Sequence, residues 1–534
     1  MDRKTHGPSL LWKPLIGISL CGLTVAIPAV RDALPAQPGT EHPIHIFAFD
    51  DDTIPYKENL KLTMVSPQKY PGNPILSPGP EGSVDAIRAQ FYGSVIRVGQ
   101  KFRMWYSAIS DTTVAGSVSR SARIAYAESS DGIHWVKPVL GLTAFQGNKR
   151  NNLVGMPPYL DFSRIEPLAC FVLYEPEEKN SARRYKMAVY GRYYLSDEAK
   201  KRIPGDNVPS SIYPFFSEDG LNWQLAVPQP KGKWFDETEV PFRVKNNFEI
   251  GGLYKFDGLY YVAGQELSPD ITMPDGTPAR RTMVTHWSGD FVHWSQDRSF
   301  SFQRYGYQSP RQSLQEAHEP AAVWNRGNVL LGLYGLWHGA AVNSERRMDL
   351  GFLVSNDAVH FREPISDFVF IAAGADGEWD QRGLIHGQGY EQVGDRTYIY
   401  YGSWDPSNSG MGRCAVGLAT MGRDRFGYLS TREMGEGQFT SKPLANLRPA
   451  SLSINAEGLS RDAYLRIELI DKMGKAIQGY SGPDAAVVAN PGLRVKVSWP
   501  AKERIQCSDS TFRLRFVLAG PQEDRVRFYA AYLE

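Results

Sequence analysis

The sequence contains few of the residues that define several common classes of protein. It has 4 cysteines in 534 residues, and Cys170, Cys414 and Cys507 are too scattered to form a disulfide framework or a metal cluster. Its formal net charge is +1, so the chain lacks the overall positive charge that attracts nucleic acid or an anionic membrane surface. We therefore expect no nucleic-acid partner, and we expect the cysteines to be small buried residues.

Long hydrophobic runs are also absent, apart from a short one near the N-terminus. The run "LIGISLCGLTVAIPAV" at 15–30 follows three basic residues, and it is shorter than the ~18–20 residues of a membrane-spanning helix. Small residues as far as Ala36 suit cleavage by a signal peptidase. Residues 1–36 are therefore predicted to be a signal peptide, with an uncleaved N-terminal anchor as the alternative. The mature protein is predicted to be secreted or periplasmic.

Aromatic residues, by contrast, are abundant, because Phe, Trp and Tyr make up 12% of the chain. Flat rings pack well on the pleated surface of a sheet, so aromatic residues are enriched in β-strands. No long amphipathic helical pattern interrupts them. The composition therefore predicts an all-β fold, and aromatic rings also suit a protein that binds sugars.

A seven-residue motif recurs and marks a repeated sheet unit. Each copy fits S-x-D-x-x-[HN]-[WF], and the copies start roughly 70 to 90 residues apart, a spacing that indicates a repeated structural unit. The copies are "SSDGIHW" at 129–135, "SEDGLNW" at 217–223, "SGDFVHW" at 288–294 and "SNDAVHF" at 355–361, with a degraded fifth copy at 421–429. The aspartate can accept hydrogen bonds from the backbone of a hairpin turn, and the aromatic residue then packs against the core. The motif is therefore predicted to be structural.

Two further strands joined by a glycine turn precede each motif, as in "FYGSVIRVGQKFRMWYSA" at 91–108. Together with the strands around the motif they predict a four-stranded antiparallel blade, and five such blades predict a five-bladed β-propeller over 82–437. Residues 37–81 are predicted to be a lead-in segment that runs along the surface or closes the ring. Short alternating runs over 438–534 predict a small C-terminal β-sandwich.

This predicted architecture resembles the furanosidase-type glycoside hydrolases. Five blades, each with an "S-x-D-G-x-x-W" hairpin, preceded by an export signal and followed by a β-sandwich, are similar to the arabinanase and β-xylosidase family and to the invertase and levanase family. The invertase-type strings "NDPNG", "RDP" and "EC" are absent, so an exported sister family is expected. The resemblance implies an enzyme that acts on carbohydrate.

Ionisable residues stand at the start of the innermost strand of every predicted blade. Inner strands line the channel of a propeller, so these side chains are expected to meet at one mouth of it. They are Asp85, Arg88 and Gln90 in blade one; Asp161, Arg164 and Glu166 in blade two; Arg243, Asn247 and Glu249 in blade three; Glu316, His318 and Glu319 in blade four; and Asp380, Arg382 and His386 in blade five. His318 and Glu319 are adjacent, so only one of them need face the channel of a regular strand.

A pair of carboxyl groups in that channel fits the cleavage of a glycosidic bond. One carboxylic acid protonates the leaving oxygen, and a second carboxylate acts as nucleophile or as base toward water. By blade position, the resemblance implies that Asp85 is the base or nucleophile and that Glu249 is the general acid. Asp161, or else Glu166, would orient that acid.

The remaining charged and amide residues are predicted to bind the substrate. The guanidinium groups suit sugar hydroxyls or a sugar carboxylate, and the imidazoles suit sugar hydroxyls. The predicted binding residues are Arg88, Glu166, Asn247, His318, Glu319, Arg382 and His386. No cofactor or catalytic metal is predicted, and the resemblance implies at most a structural calcium ion in the channel, near a blade-five histidine.

Other functions fit the same predicted fold. A non-catalytic, lectin-like propeller would need aromatic platforms and neutral amides rather than two opposed carboxyl groups. A sialidase would need three arginines around a carboxylate and normally six blades, and a mannoside phosphorylase would need a basic pocket for phosphate. The carboxylates at the strand starts favour a glycoside hydrolase, with a lectin-like protein as the main alternative.

Overall fold

The computed structural model describes most of the chain from residue 43 onward. The described residues are 43–114, 117–157, 165–193, 210–226, 248–267, 281–304, 316–338, 343–406, 412–445, 449–506, 511–521 and 525–534. These residues form β-strands and a few 3₁₀ turns, and no α-helix occurs among them. No helix within these ranges is long and apolar enough to cross a membrane. The all-β class is thus confirmed, and the predicted signal peptide lies outside the described residues.

The strands between residues 88 and 422 form five antiparallel sheet units. Four strands precede them, β1 Ile44–Phe47, β2 Tyr56–Glu58, β3 Leu60–Met64 and β4 Gln68–Lys69. Unit one contains β5 Arg88–Val98, β6 Lys101–Val114, β7 Ser117–Ser129 and β8 Trp135–Val136, and unit two contains β9 Ile165–Tyr174, β10 Tyr185–Tyr193, β11 Ser210–Ser217 and β12 Gln224–Leu225. Unit three contains β13 Glu249–Phe256, β14 Leu259–Leu267, β15 Arg281–Ser288 and β16 Ser299–Phe302. Unit four contains β17 Ala317–Asn325, β18 Leu330–His338 and β19 Arg347–Ser355, and unit five contains β20 Leu384–Val393, β21 Arg396–Ser403 and β22 Val416–Gly422.

The first strands of the five units, which we call the inner strands, contact one another in a closed order. Each contacts the inner strand of the next unit along the chain, and β20 pairs in parallel with β5 through Gln388 and Gly389. Units five and one therefore share one eight-stranded sheet. Apolar side chains fill the space between neighbouring units, as where Trp105 of unit one packs with Cys170 and Met187 of unit two.

Two further sheets contain the C-terminal strands, and we call them the C-terminal sheets. These strands are β23 Gly427–Thr431, β24 Gly437–Thr440, β25 Leu444–Ala445, β26 Leu452–Glu457, β27 Tyr464–Ile470, β28 Ala486–Val488, β29 Gly492–Val497, β30 Thr511–Ala519 and β31 Arg527–Leu533. One sheet has the order β29-β26-β31-β23-β3, with β1 also on β31, and the other has the order β2-β24-β30-β27-β28, with β25 also on β30. Residues of both sheets, including Phe516 and Phe528, share one apolar core.

The segment before unit one therefore contributes strands to three sheets. Its last strand, β4, pairs with β22 through Gln68 and Lys69 and supplies the fourth strand of unit five. The earlier strands pair elsewhere, β1 with β31, β3 with β23, and β2 with β24. Of the lead-in predicted at 37–81, β4 pairs with unit five, and Phe49 packs on Phe352 of unit four. The degraded motif copy at 421–429 leads from β22 into the C-terminal sheets.

The repeated motif forms the predicted turn. Asp131 Oδ1 accepts hydrogen bonds from the backbone N–H groups of Ile133 and His134, both at 2.8 Å, and Ser129 Oγ accepts one from Gly132 at 2.9 Å. The same aspartate contacts recur at Asp219, Asp290 and Asp357. The motif's structural role is thus confirmed.

All five inner strands contain a register shift close to their starts. The shifts lie between Gln90 and Ser94 in β5, between Pro167 and Ala169 in β9, between Ile250 and Gly252 in β13, between His318 and Ala322 in β17, and between His386 and Tyr390 in β20. A β-bulge of this kind bends the strand and re-aims its side chains. The bulges therefore occur at the strand starts where the sequence predicts a functional site.

Candidate active site

Glu249 begins inner strand β13 and lies opposite Gln265 of β14. Gln265 Nε2 donates a hydrogen bond to Glu249 Oε2 at 3.0 Å. Glu249 is half-buried and Gln265 is buried. The reason is that β13 is an edge strand of its sheet, whereas β14 lies between β13 and β15. The carboxyl group of Glu249 thus accepts a hydrogen bond from a buried amide, and the residue remains partly open to solvent.

Glu319 of unit four contacts the same amide. Its backbone N–H donates to Gln265 Oε1 at 3.1 Å. Glu319 lies in the bulge of β17 with a φ of 49°, a left-handed conformation that costs free energy for a residue other than glycine and that occurs often at functional sites. His318 and Glu319 are both buried in this bulge, and their side chains approach each other at 3.3 Å rather than facing opposite ways as on a regular strand. Gln265 thereby joins the starts of two inner strands.

His318 is a neutral hydrogen-bonding group within this cluster. Its Nδ1 lies 2.5 Å from Arg281 Nη1, and because a guanidinium only donates, Nδ1 must accept. The proton therefore lies on Nε2, which is 3.3 Å from Glu319 Oε1. Burial, and then the positive charge of Arg281, lower the pKa of His318 to about 3. His318 is consequently uncharged near neutral pH.

His386 and Tyr92 form the buried side of the cluster. His386 Nε2 hydrogen-bonds the carbonyl oxygen of Glu319, its Nδ1 has no partner among the described residues, and burial lowers the pKa of His386 to about 4. Tyr92 of β5 lies edge-on to His386, with 5.9 Å between ring centroids, and its hydroxyl donates to the Ile250 carbonyl oxygen. Burial and the charges of Glu319 and Glu249 raise the pKa of Tyr92 well above its usual value. This side of the cluster is therefore uncharged.

Arg281 and Glu316 provide the remaining charges. Arg281 Nε lies 3.2 Å from Glu316 Oε2, and Arg281 Nη1 also donates to Gln265 Oε1 at 3.3 Å. Because the imidazoles are neutral, the charge of the described cluster comes from Glu249, Glu316, Glu319 and Arg281. Among the described members of the cluster, carboxylates therefore outnumber cations.

Two tryptophans contact His318 and each other. Its ring centroid lies 5.2 Å from that of Trp337, at an interplanar angle of 29°, and 5.4 Å from that of Trp404. Both tryptophans are half-buried, so each remains partly accessible to solvent. We call Glu249, Gln265, Arg281, Glu316, His318, Glu319, His386, Tyr92, Trp337 and Trp404 the glutamate cluster.

Asp85 has a different environment. It is 1% exposed, and its Oδ2 accepts from Lys137 Nζ at 2.5 Å and from the Tyr106 hydroxyl at 2.8 Å. Asn152 Nδ2 in turn donates to the Tyr106 oxygen at 2.9 Å. A cavity of about 350 Å³ adjoins these residues and is lined by Asp85, Lys137 and Phe145 among others. The described contacts of Asp85 are with unit one and with the loops directly before and after it.

Unit five repeats this arrangement. Asp380 Oδ2 accepts from Lys69 Nζ at 2.6 Å and from the Tyr401 hydroxyl at 3.1 Å, and Asn73 Nδ2 donates to the Tyr401 oxygen at 3.2 Å. In both units the lysine lies on or beside the outermost strand, and the tyrosine lies on the second strand. A set that recurs in two units indicates a structural role, since a single catalytic site needs one copy.

The other predicted site residues lie in several places. Arg88 Nε donates to the Gly412 carbonyl oxygen at 2.9 Å. Arg382 has a φ of 65° and pairs with Asp376 at 3.2 Å, on a loop beside unit four. Glu166 lies on β9, whereas Asp161 and Asn247 lie outside the described residues. Of the residues predicted at the strand starts, Glu249, Glu316, His318, Glu319 and His386 are therefore brought together.

Five members of the glutamate cluster were not predicted, namely Tyr92, Gln265, Arg281, Trp337 and Trp404. Most lie on the second or third strand of a unit, or just beyond it, rather than at the start of an inner strand. The register of the hairpins could have identified Gln265, because it pairs directly with Glu249. The tryptophans carry no comparable signal, since aromatic residues are common throughout the chain.

Metal binding has no support from the described side chains. Within the described ranges, no group of three or more His, Cys, Asp or Glu residues is arranged to hold a metal ion. Ca²⁺ prefers six to eight oxygen ligands, and the described surroundings of His386 do not supply such a set. A structural calcium ion stays a prediction from the resemblance.

Comparisons with known proteins find similarity among solved structures. No family model and no curated protein matches the chain. The chain is similar to a glycosyl hydrolase from Bacteroides ovatus, at 16% identity and a TM-score of 0.44, over 69% of this chain and 97% of that one. It is also similar to an N-acetylgalactosamine deacetylase from F. plautii (13%, 0.43, 68% and 96%) and to a glycoside hydrolase family 43 arabinoxylan arabinofuranohydrolase from Bacillus subtilis (10%, 0.36, 88% and 99%). Glycoside hydrolases are thus among the structures that this chain resembles, as the sequence predicts.

Proposed function

We propose that this protein is an exported glycoside hydrolase, built as a five-bladed β-propeller with a C-terminal β-sandwich. Each sheet unit would be one blade. The closed order of contacts among the five inner strands, and the pairing of β20 with β5, support a ring. The glutamate cluster at the starts of β13 and β17 would then lie at one mouth of the channel, and a poly- or oligosaccharide would be the substrate.

Glu249 and Glu319 are the proposed pair of catalytic carboxylates. The observation that carries the proposal is that one buried amide, Gln265, contacts both residues, at 3.0 Å and 3.1 Å. Glycosidic cleavage needs two carboxyl groups on either side of one bond, and a shared contact keeps these two residues close together. Glu319 replaces Asp85 in this pair, because Asp85 is occupied by Lys137 and Tyr106.

The surroundings of the two carboxyl groups support different roles. Glu249 is half-buried, so it can reach a leaving oxygen and recover a proton from water, as a general acid must. Glu319 is buried and lies 3.3 Å from His318 Nε2, whose proton favours the ionised carboxylate. Glu319 would therefore act as base or nucleophile.

The aromatic and cationic members of the cluster would bind the sugar. The rings of Trp337 and Trp404 suit the C–H face of a sugar ring, and the neutral imidazole of His318 packs against both of them. Arg281 is already paired with Glu316, so a neutral sugar fits better than a sugar carboxylate.

A hydrolysis screen tests this proposal. The wild-type protein would be incubated with a panel of plant and algal polysaccharides and their oligomers, and reducing ends would be measured. We expect Glu249→Gln and Glu319→Gln to lower kcat by at least about 100-fold, and Asp85→Asn to retain turnover per folded molecule. Saccharide binding without turnover in the wild-type protein would instead favour a lectin-like protein.

Export is proposed from the N-terminal run at 15–30. Mass spectrometry of the protein recovered from its native host compartment tests it. A mature N-terminus close to residue 37 supports a cleaved signal peptide, a full-length chain in the membrane fraction supports the anchor, and a full-length chain in the cytoplasm contradicts both.

A further inference from the structure

We propose that Gln265 is a positioning residue, and that it fixes which oxygen of Glu249 carries the proton used in catalysis. This inference rests on the proposed function. Gln265 is 6% exposed and lies on β14, one strand away from the inner strand that begins with Glu249. It touches both proposed carboxylate residues without being able to exchange a proton itself.

The orientation of the Gln265 side chain is determined by two donors. Its Oε1 accepts from the backbone N–H of Glu319 at 3.1 Å and from Arg281 Nη1 at 3.3 Å. Neither group can accept a hydrogen bond, so the amide oxygen must face them both. The amide NH₂ must then face Glu249 Oε2, at 3.0 Å.

This orientation constrains the protonated form of Glu249. Oε2 accepts a hydrogen bond from Gln265, and the carbonyl oxygen of a carboxylic acid accepts better than its hydroxyl oxygen, so a proton on Glu249 is favoured on Oε1. A donor also favours the ionised carboxylate and lowers the pKa of the group that it contacts. Gln265 therefore directs the acidic proton to one side and keeps the pKa of the acid from rising too far to be useful near neutral pH.

The same side chain sets the position of Glu319. The φ of 49° at Glu319 is unfavourable for a residue other than glycine, and the hydrogen bond from its N–H to Gln265 helps to hold that conformation. The relative position of the two carboxyl groups thus depends on one amide, and a small displacement of catalytic groups lowers rates strongly.

The test compares Gln265→Met with Gln265→Glu. Methionine has a similar length and no hydrogen bonds, whereas glutamate keeps an acceptor for Glu319 and Arg281 but has to share a proton with Glu249. We expect kcat to fall about 10-fold or more in both variants with little change in KM. The alkaline limb of the pH–kcat profile should move up by about 1 unit in Gln265→Met, and further in Gln265→Glu, because a like charge raises the pKa more than loss of a donor does.

Gln438→Met is the matched control. Gln438 Nε2 also donates to a glutamate, Glu58 Oε2 at 2.6 Å, but on the exposed surface of the C-terminal sheets. This variant should leave kcat and the alkaline limb unchanged. Identical alkaline limbs in wild type and both Gln265 variants would reduce Gln265 to a structural residue and overturn the proposal.

A measurement without substrate separates this inference from the proposed function. The free energies of unfolding of Glu249→Gln, Gln265→Met and the double variant form a cycle whose coupling reports the contact directly. Hydrolysis without coupling or pH shift would overturn the positioning role alone. Coupling between Gln265 and Glu249 without hydrolysis of any substrate would overturn the proposed function, and the positioning role with it. The hydrogen bond between the two side chains would still be supported by that coupling.

Discussion

At the scale of single residues, the contact of Asp85 with Lys137 indicates that Asp85 stabilises the fold and does not take part in catalysis. Asp85→Asn leaves Lys137, whose side chain is 23% exposed, without its buried counter-charge. We expect the free energy of unfolding to fall by about 2 kcal/mol, less than for a fully buried ion pair because Lys137 reaches solvent. Denaturant unfolding measures this change. Asp380→Asn, in the repeated set of unit five, should cause a similar loss.

A selective loss of hydrolysis in Asp85→Asn, with stability retained, would contradict this assignment. It would return Asp85 to the catalytic pair that blade position predicts from the sequence.

The aspartates of the repeated motif predict a dependence of stability on pH. Burial raises the pKa of Asp131, but hydrogen bonds from the His134 side chain and from the backbone outweigh this and hold the pKa below its usual range. Because the pKa is depressed in the folded protein, the stabilisation is present above pH ~4, the unfolded value, and is lost as the pH falls through the folded value. Asp131→Ala should therefore lower the free energy of unfolding more at pH 6 than at pH 2. The exposed Asp462 provides the control, and an equal effect of Asp131→Ala at both pH values would contradict the argument.

Residues whose role depends on near neighbours were predictable from the sequence. The motif aspartates bond to N–H groups two and three residues away, so the string itself carries the signal. Glu249, His318, Glu319 and His386 were predictable as a group because each begins, or nearly begins, an inner strand. The structural role of Asp85 was not predictable, since its partner Lys137 is 52 residues away and no local pattern indicates that contact.

At the scale of strands, β13 and β17 approach each other through glycine. A Cβ added at Gly252 would lie 2.0 Å from the carbonyl oxygen of Ala321, next to the bulge that holds Glu319. Gly252→Ala should therefore separate the two inner strands and lower the free energy of unfolding by about 1–3 kcal/mol. Hydrolysis should fall as well, because Glu319 moves.

Gly289→Ala is the control for this change, since a Cβ at Gly289 meets nothing within 4 Å. Its effect on the free energy of unfolding should stay within about 0.5 kcal/mol. A Gly252→Ala protein as stable as wild type would show that the strands can move apart freely.

The strands were more predictable than their irregularities. Apolar alternation and glycine turns indicated the hairpins of the five units, and these hairpins form. The bulge between His318 and Ala322 was not predictable, because a period of two residues cannot reveal an extra residue in one strand. That bulge buries both His318 and Glu319 and gives the cluster its second carboxylate.

At the scale of the whole molecule, pairing between the two ends of the sequence was the least predictable feature. Strand β4 completes unit five, and β1 to β3 complete the C-terminal sheets, across separations of more than 350 residues (β4 with β22, for example, at Gln68 and Thr420). Such pairing depends on how the distant parts of the chain come together in the folded protein, and the local sequence of the segment does not indicate its partner. The segment 37–81 therefore read as a lead-in, although its strands belong to sheets assembled from the other end of the chain.

A buried carboxylate connects these parts, and it gives the last prediction. Asp424 is fully buried; its oxygens accept from Arg326 of unit four at 2.5 Å, from Gln392 of unit five at 2.6 Å and from Tyr532 of β31 at 2.9 Å. Burial raises the pKa of Asp424, but the charge of Arg326 and the hydrogen bonds outweigh it and keep the pKa below its usual range. Asp424→Asn leaves Arg326 as an uncompensated buried charge, so the free energy of unfolding should fall by about 3–5 kcal/mol.

Calorimetry should also show a broadened or divided transition in Asp424→Asn, since the contact joins the sheet units to the C-terminal sheets. The difference in the free energy of unfolding between wild type and Asp424→Asn should be largest above pH ~4. It should shrink as the pH falls through the depressed pKa of Asp424. Tyr532→Phe, which removes one hydrogen bond and no charge, should cost only about 1 kcal/mol and keep a single transition. If Asp424→Asn instead shows the same unfolding transition as Tyr532→Phe at every pH, cooperative unfolding of the sheet units with the C-terminal sheets does not depend on the charge of Asp424. Apolar contacts between the sheets would then account for that cooperativity.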